Sequence, residues 1–412
     1  MRALPRESID NSRTSVVTVA LCYLIALFEG FDLQAAGVAA PRLGPAFQMA
    51  PGAMGWFFSS STFGLMIGAA LGGRLSDRFG RKSVLISSVA VFGLMSVFTG
   101  LAPSVEVLLL ARFLTGAGIG GALPNLVALV AENSKPERKN TAVGLLYAGL
   151  PSGGALASLV STFGNSDAWQ SIFLVGGIAP LVSIPLLMLV LPESLQLQAA
   201  KQATTGRSER AGFAFALFGE GRAVRSLLLW TAFFLALLTM YLLLNWLPTL
   251  LVSRGLSRPE ASWVQLSFNL LGALASMSTG LLMDRLRSRS VVLVSFGSAV
   301  VSLWALSIVP AQLALAMAVG GFVGIAMSAT QVVLYGLAPS NYPTAIRGTG
   351  VGAAVAIGRS GSAVGPLLAG ALLGSGKAPQ DVLLLLVPII LVAGIAALLL
   401  VATMKRQHSR LD

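Results

Sequence analysis

Written as a string of apolar and polar positions, the chain is a series of long apolar runs separated by short polar turns. The runs cover approximately 17–40, 54–73, 84–102, 106–129, 141–162, 169–191, 226–252, 261–283, 290–308, 311–336, 346–373 and 382–404. A helix rises 1.5 Å per residue, so each run can cross a hydrocarbon layer of about 30 Å. None shows the alternating segments of about ten residues that mark membrane barrel strands. The pattern predicts an all-α polytopic membrane protein with twelve transmembrane helices. The longest polar stretch, 192–225, predicts a linker between two six-helix halves, 1–191 and 226–412, with a surface-lying piece near FAFALFGE.

The halves repeat one another. GGRLSDRFGRKSV aligns with GLLMDRLRSRSVV, placing Asp77 opposite Asp284, and NTAVG aligns with GTGVG, placing Lys139 opposite Arg347. The two alignments share nearly the same offset, about half the chain, as an ancestral duplication requires. Paired repeats are how many transporters build a site near the midplane between two bundles that rock.

Composition sharpens this picture. Of 412 residues, 55% are hydrophobic and only 11% charged, against roughly 25% charged in soluble domains. Mean hydropathy is +0.81. A soluble globular fold is excluded. The formal charge of +12 could suggest nucleic acid, but the placement of the charges argues otherwise. Basic residues crowd the N-terminus, the turns around Arg74–Lys82 and Lys135–Lys139, the linker, Arg285–Arg289 and the C-terminus. The alternate turns hold Arg42, Arg254, Arg258 and Lys377. That asymmetry follows the positive-inside rule. It places both termini in the cytoplasm, as expected for a bacterial inner-membrane protein, and leaves no need for a nucleic-acid partner. The first run is too long and too acidic for a cleaved signal peptide. Cys22 is the only cysteine and His408, on a polar tail, the only histidine. No disulfide within the chain, metal site or cofactor is expected, and proton chemistry falls to carboxylates.

Ionisable residues inside the runs carry the candidate chemistry, because each costs about 2.5–3.5 kcal/mol at the bilayer centre even on the lenient insertion scale. In FEGFDLQ, Glu29 and Asp32 stand three residues apart on one helical face. Asp32 lies about 12 Å in from the end of its span. Arg112 enters span four to a depth of roughly 9 Å, where snorkelling to the interface is one reading and a buried ion pair the other. Its repeat equivalent is near Gly320, so the fold itself does not demand the charge. Arg359 stands close to the midplane of span eleven, too deep to snorkel, among the glycines of GRSGSAVGP. A guanidinium there suits a carboxylate held by two hydrogen bonds.

The segment Gly73-Arg-Leu-Ser-Asp77-Arg78-Phe-Gly80-Arg81-Lys82 has the pattern GxxxDRxGRK, on the turn between spans two and three. A positive-inside turn explains its basic residues but neither the acid at the helix end nor the glycine spacing. The segment resembles the loop motif of the major facilitator superfamily, and Arg112-Phe-Leu-Thr-Gly116-Ala-Gly118-Ile-Gly120 resembles that family's RxxxGxGxG. The resemblance implies twelve helices in two pseudo-symmetric bundles, with spans one and four adjacent. It also implies a cytoplasmic gate at Gly73, Asp77, Arg78, Gly80 and Arg81, which latches against span eleven when the carrier is open outward. Glu132 and Arg347 join the gate by the same resemblance, or are interface charges.

The stretch CYLIALFEGFDLQAAGVAAP resembles a narrower group, the aromatic acid:proton symporters, with Glu29 where an aspartate is commoner. ALPNLVALVAE, LLNWLPTLLVSRG and RGTGVGAAVAIGRSGSAVGPLLAG extend the likeness over nearly the whole chain. EGFDLQAAG and NWLPTLLV resemble the 3-(3-hydroxyphenyl)propionate carriers within that group. The expected function is proton-coupled import of an aromatic carboxylate, such as that acid or a hydroxybenzoate, by a monomer in the lipid bilayer. Glu29, Asp32 and Arg112 are expected to couple the proton, and Arg359 to hold the substrate's acid group. Asn245, Trp246, Gln34, Asn125, Gln331 and Tyr335 either line the slot for the ring or make hydrogen bonds that pack helices. Proton-driven efflux of a drug or metabolite is the alternative, because efflux carriers share the loop motif and GLPSGGAL loosely resembles an antiporter motif. No HExxH, nucleophile elbow or phosphate loop points to an enzyme.

Overall fold

The computed structural model describes residues 7–134, 139–163, 168–192, 217–219, 222–285, 288–343 and 346–408. Most of the 192–225 linker, Lys135 and Arg138, and the side chains of Asp77 and Asp284 lie outside the described residues. Among the described residues the chain forms twelve helices and no strand: α1 Glu7–Ala46, α2 Pro51–Phe79, α3 Arg81–Gly100, α4 Val105–Glu132, α5 Lys139–Phe163, α6 Gln170–Val190, α7 Ala223–Val252, α8 Arg258–Arg285, α9 Ser288–Ile308, α10 Leu313–Ser340, α11 Arg347–Gly374 and α12 Pro379–His408. Eleven of these are long and apolar enough to cross a membrane, making the chain a multi-pass membrane protein. The exception, α8, carries Gln265 and Asn269, both buried against protein. Polar side chains within a membrane bundle face inward because lipid offers them no partner. α8 also starts with a reciprocal cap: the Ser257 amide donates to the Glu260 carboxylate at 2.8 Å and the Glu260 amide donates to the Ser257 hydroxyl oxygen at 3.4 Å, the capping-box arrangement.

The helices outlast their apolar runs. α1 continues to Ala46 through Pro41 and Pro45, and α2 continues to Phe79. Residues 73–79 of the loop motif are therefore the last turns of α2, and the connection shrinks to Gly80. Hydropathy marks where oil ends, whereas the helix ends where backbone pairing ends. Gly80 has φ 97°, a conformation that costs glycine nothing and an L side chain much. Arg42, expected in an exposed turn, is buried within α1 and donates to the hydroxyl and carbonyl of Ser161 at 2.7 and 2.9 Å. Beyond the end of α7, Arg254 donates to the carbonyls of Leu306 and Val309, where a cation complements the C-terminal end of a helix dipole.

The chain divides into two compact units. The first comprises Met1–Ala35, Phe63–Ala157 and Ala168–Gly206; the second comprises Ala36–Thr62, Ser158–Asp167 and Arg207–Asp412. Each is built on glycine seams. In the first unit, a Cβ at Gly64 or Gly68 would fall 1.9 or 2.0 Å from the Phe113 or Ala117 carbonyl oxygen, so α2 lies directly on α4. Gly118 and Gly120 of the RxxxGxGxG stretch make room for α3 at Phe92 and for α2 at Leu65. Gly30 and Gly153 bring α1 and α5 together. The second unit repeats these pairings, with Gly324 on Phe268 joining α10 to α8, and Gly361 and Gly365 on Phe234 and Leu238 joining α11 to α7. Small residues serve this purpose in membranes, where close van der Waals approach replaces the hydrophobic effect as the driving force.

The loop-motif glycine behaves differently. Nothing lies within 4 Å of a Cβ at Gly73. Gly68→Ala is expected to destabilise the protein by about 1–3 kcal/mol through overpacking. Gly73→Ala, five residues further along, is expected to be neutral or to stabilise by up to about 1 kcal/mol through helix propensity. Thermal denaturation midpoints of the two purified variants in detergent check the contrast.

Candidate functional site

In the first unit, three helices converge on Asp32. α1 supplies the carboxylate, fully buried, and α4 supplies Arg112, 1% exposed. Arg112 donates from Nη1 to Asp32 Oδ2 at 2.8 Å and from Nη2 to the Asp32 carbonyl at 3.2 Å. From α3, the Ser96 hydroxyl donates to Asp32 Oδ1 at 2.6 Å and lies 3.2 Å from the Phe173 carbonyl. The Arg112 guanidinium carbon stands 5.6 Å from the Phe173 ring centroid on α6, within cation–π range. A buried charge persists only when paired and hydrogen-bonded, and here each Asp32 oxygen has its own donor. Arg112 is thus a buried partner and does not snorkel. Glu29 is also fully buried, one turn before Asp32, on the side toward Cys22.

The other expected residues of this unit are placed as follows. Gln34 is buried with its amide over Gly154, where a Cβ would fall 1.9 Å from Nε2. Asn125 is buried and donates to the Gly121 carbonyl of its own helix at 2.9 Å. Glu132, at the end of α4, forms an ion pair with Arg81 at the start of α3. Arg78 is exposed, its guanidinium carbon 5.1 Å from the Phe79 ring centroid. Within the loop motif, Arg81 therefore meets a carboxylate, Arg78 an aromatic ring, and Gly80 sets the backbone.

In the second unit, Arg359 of α11 donates to the Tyr241 hydroxyl of α7, with its guanidinium carbon 5.8 Å from that ring centroid. Both lie within electrostatic reach of Tyr335 on α10. The Tyr335 ring meets Phe233 of α7 edge to face at 5.2 Å. Gln331, one turn from Tyr335, has both side-chain polar atoms buried without a hydrogen-bond partner. α7, α10 and α11 thus bring a cation, two phenols and a phenyl ring together, with the Gln331 amide one turn along α10 from Tyr335. Asn245 and Trp246 take packing positions in the same unit. Asn245 donates to the Tyr241 carbonyl. The Trp246 indole N–H donates to the Pro366 carbonyl at 3.0 Å and its ring meets Phe58 edge-on. Arg347 is exposed at the start of α11.

Ser96, Phe173, Tyr241 and Phe233 escaped sequence reasoning. Serine in a membrane helix carries little signal, because its hydroxyl can bond its own preceding turn. Phenylalanines are common in every span. Tyr241 offered a usable hint: it stands four residues before Asn245 and so shares its face.

Comparison with known proteins adds an independent line. The family described as Major Facilitator Superfamily matches residues 22–259 and 229–412. A 3-(3-hydroxy-phenyl)propionate transporter of Escherichia coli (strain K12) is 43% identical over 97% of this chain and 98% of its own. A gallate transporter of Pseudomonas putida is 34% identical over 90% of this chain and 89% of its own. Among solved structures, a D-xylose-proton symporter aligns with a TM-score of 0.71 at 20% identity, covering 95% of this chain and 96% of that one. A nucleoside transporter aligns with a TM-score of 0.73 at 15% identity, covering 93% and 98%. At such identities the structural likeness speaks for the fold alone.

Proposed function

Since the chain belongs to the major facilitator superfamily, we propose that it is a secondary transporter that imports an aromatic carboxylate together with a proton, not an enzyme. The substrate class follows the relatives named above, whose cargoes are aromatic acids. The proton reading rests above all on the Asp32–Arg112 pair, sealed from solvent within the membrane region. A carboxylate that can exchange its arginine for a proton is a coupling group, and Glu29 is the second acid available to carry that proton. Arg359, with its aromatic neighbours, binds the acid group of the substrate, which displaces the Tyr241 hydroxyl from the guanidinium.

The transport cycle is alternating access between the 1–191 and 226–412 halves, joined by a cytoplasmic linker. The chain acts as a monomer in the inner membrane with both termini in the cytoplasm. The loop-motif residues, including Asp77, together with Glu132 and Arg347, form the cytoplasmic gate. Supporting this, each unit presents a pair of repeat-related glycines facing open space, Gly73 and Gly144 in one, Gly280 and Gly352 in the other. Small, uncovered faces of this kind suit surfaces that close in another state. Gly153 and Gly154, in the stretch that loosely resembles an antiporter motif, lie against Leu27 and Gln34, and the direction of substrate movement against a proton gradient separates import from efflux.

Uptake of radiolabelled 3-(3-hydroxyphenyl)propionate and of a hydroxybenzoate into membrane vesicles, with and without an imposed inward proton gradient, tests the reading. Accumulation against the acid's own gradient, abolished by a protonophore, is expected. Proton-driven extrusion, or indifference to the gradient, would refute it.

A further inference from the structure

The Gln331 carboxamide holds a donor and an acceptor out of water with neither paired. Such groups are expensive and rare in native proteins, and each calls for a reason. Helix register places this one. Gly361 and Gly365 meet Phe234 and Leu238, so α11 and α7 run side by side in the same direction, with Arg359 starting near the level of residue 232. Its guanidinium nevertheless reaches Tyr241, and so it climbs along α7. Gly320 and Gly324 meet Val264 and Phe268, so α10 runs with α8 and against α7. From the contact between Phe233 and Tyr335, one turn back along α10, about 6 Å, rises to Gln331 in the direction the arginine takes. The unpaired amide therefore stands one turn from Tyr335 on the same face of α10, at the level toward which the Arg359 side chain climbs.

We propose that Gln331 reads a ring hydroxyl, making the carrier selective for hydroxylated over unsubstituted aryl carboxylates. The inference rests on the aromatic-acid reading of this chamber. A phenol is suited to the amide because it donates to Oε1 and accepts from Nε2, satisfying both orphaned atoms with one group. A bare ring leaves them unpaired, and sites built to bond a hydroxyl reject analogues lacking it far more strongly than apolar pockets reject a missing methylene.

The test is competition between 3-(3-hydroxyphenyl)propionate and 3-phenylpropionate in vesicle uptake, for wild type and Gln331→Leu. Wild type is expected to prefer the hydroxylated acid by at least about tenfold. In Gln331→Leu the preference should shrink to within about threefold, whatever the absolute rates. Should the variant fail to transport, equilibrium binding of both acids to the purified protein supplies the same ratio. A ratio unchanged by the substitution overturns the assignment to Gln331 while leaving the aromatic-acid reading intact. Wild type that neither transports nor binds either acid overturns that reading, and this inference with it.

Discussion

Asp32→Ala is expected to abolish gradient-driven accumulation and to destabilise the protein by about 3–5 kcal/mol, the cost of breaking a buried ion pair from one side. The asymmetry of the pair is the sharper test. Without Asp32, Arg112 keeps a charge it cannot shed, sealed at 1% exposure, with its carboxylate partner gone and the Asp32 backbone carbonyl and the Phe173 ring beside it. Without Arg112, the carboxyl can neutralise itself by taking a proton and keeps the Ser96 hydroxyl. Arg112→Leu should therefore cost less stability than Asp32→Ala, though it too should end proton-driven uptake. The double variant Asp32→Ala/Arg112→Leu should regain much of the lost stability, because apolar replacement of a buried pair is often neutral, while transport stays absent. Denaturation midpoints in detergent alongside vesicle uptake measure both. Single-variant losses that simply add in the double variant would mean the two residues act independently, contrary to the 2.8 Å contact.

The second large effect is expected at Arg359. Hydrogen bonds to charged groups contribute about 1.5–3 kcal/mol, so Arg359→Ala should raise KM for the aromatic acid by about 10- to 150-fold with little effect on folding. The side chain is only partly buried, and its hydrogen bond to the Tyr241 hydroxyl is one that a bound carboxylate would replace. Arg359→Lys should not restore affinity, because an ammonium is a point charge that cannot hold both carboxylate oxygens in a planar fork. Initial uptake rates over a substrate range separate KM from the maximal rate. A lysine variant equal to wild type would show that only charge matters at this position.

How much of this was legible beforehand varies residue by residue. Asp32 and Arg112 stood out because ionisable groups in oil are costly enough to demand partners, and depth counting put them at matching levels. A pairing of Arg112 with one of the two acids was expected; that it falls to Asp32 and is completed by Ser96 was not. Trp246 and Asn245 drew attention as polar groups in an apolar span, yet a carbonyl can occupy such a group as readily as a ligand can, and here Pro366 and Tyr241 supply those carbonyls. Arg42 looked like a turn residue because the first apolar run ends before it, and Ser161, more than a hundred residues away, draws it inside. The glycines of the RxxxGxGxG stretch were visible as a pattern, but only coordinates reveal that Gly118 serves α3 and Gly120 serves α2.

Taken alone, the amino-acid order determined the twelve long helices, the internal repeat and the short roster of ionisable groups within the apolar runs. Those features are local: the length of an apolar run and the cost of a charge in hydrocarbon need no knowledge of what packs nearby. Tertiary structure decided where helices stop, which glycines touch a neighbour, and which polar side chains are engaged or, like Gln331, left open. Each of these depends on atoms brought together from distant parts of the chain, within the few ångströms over which hydrogen bonds and close packing operate.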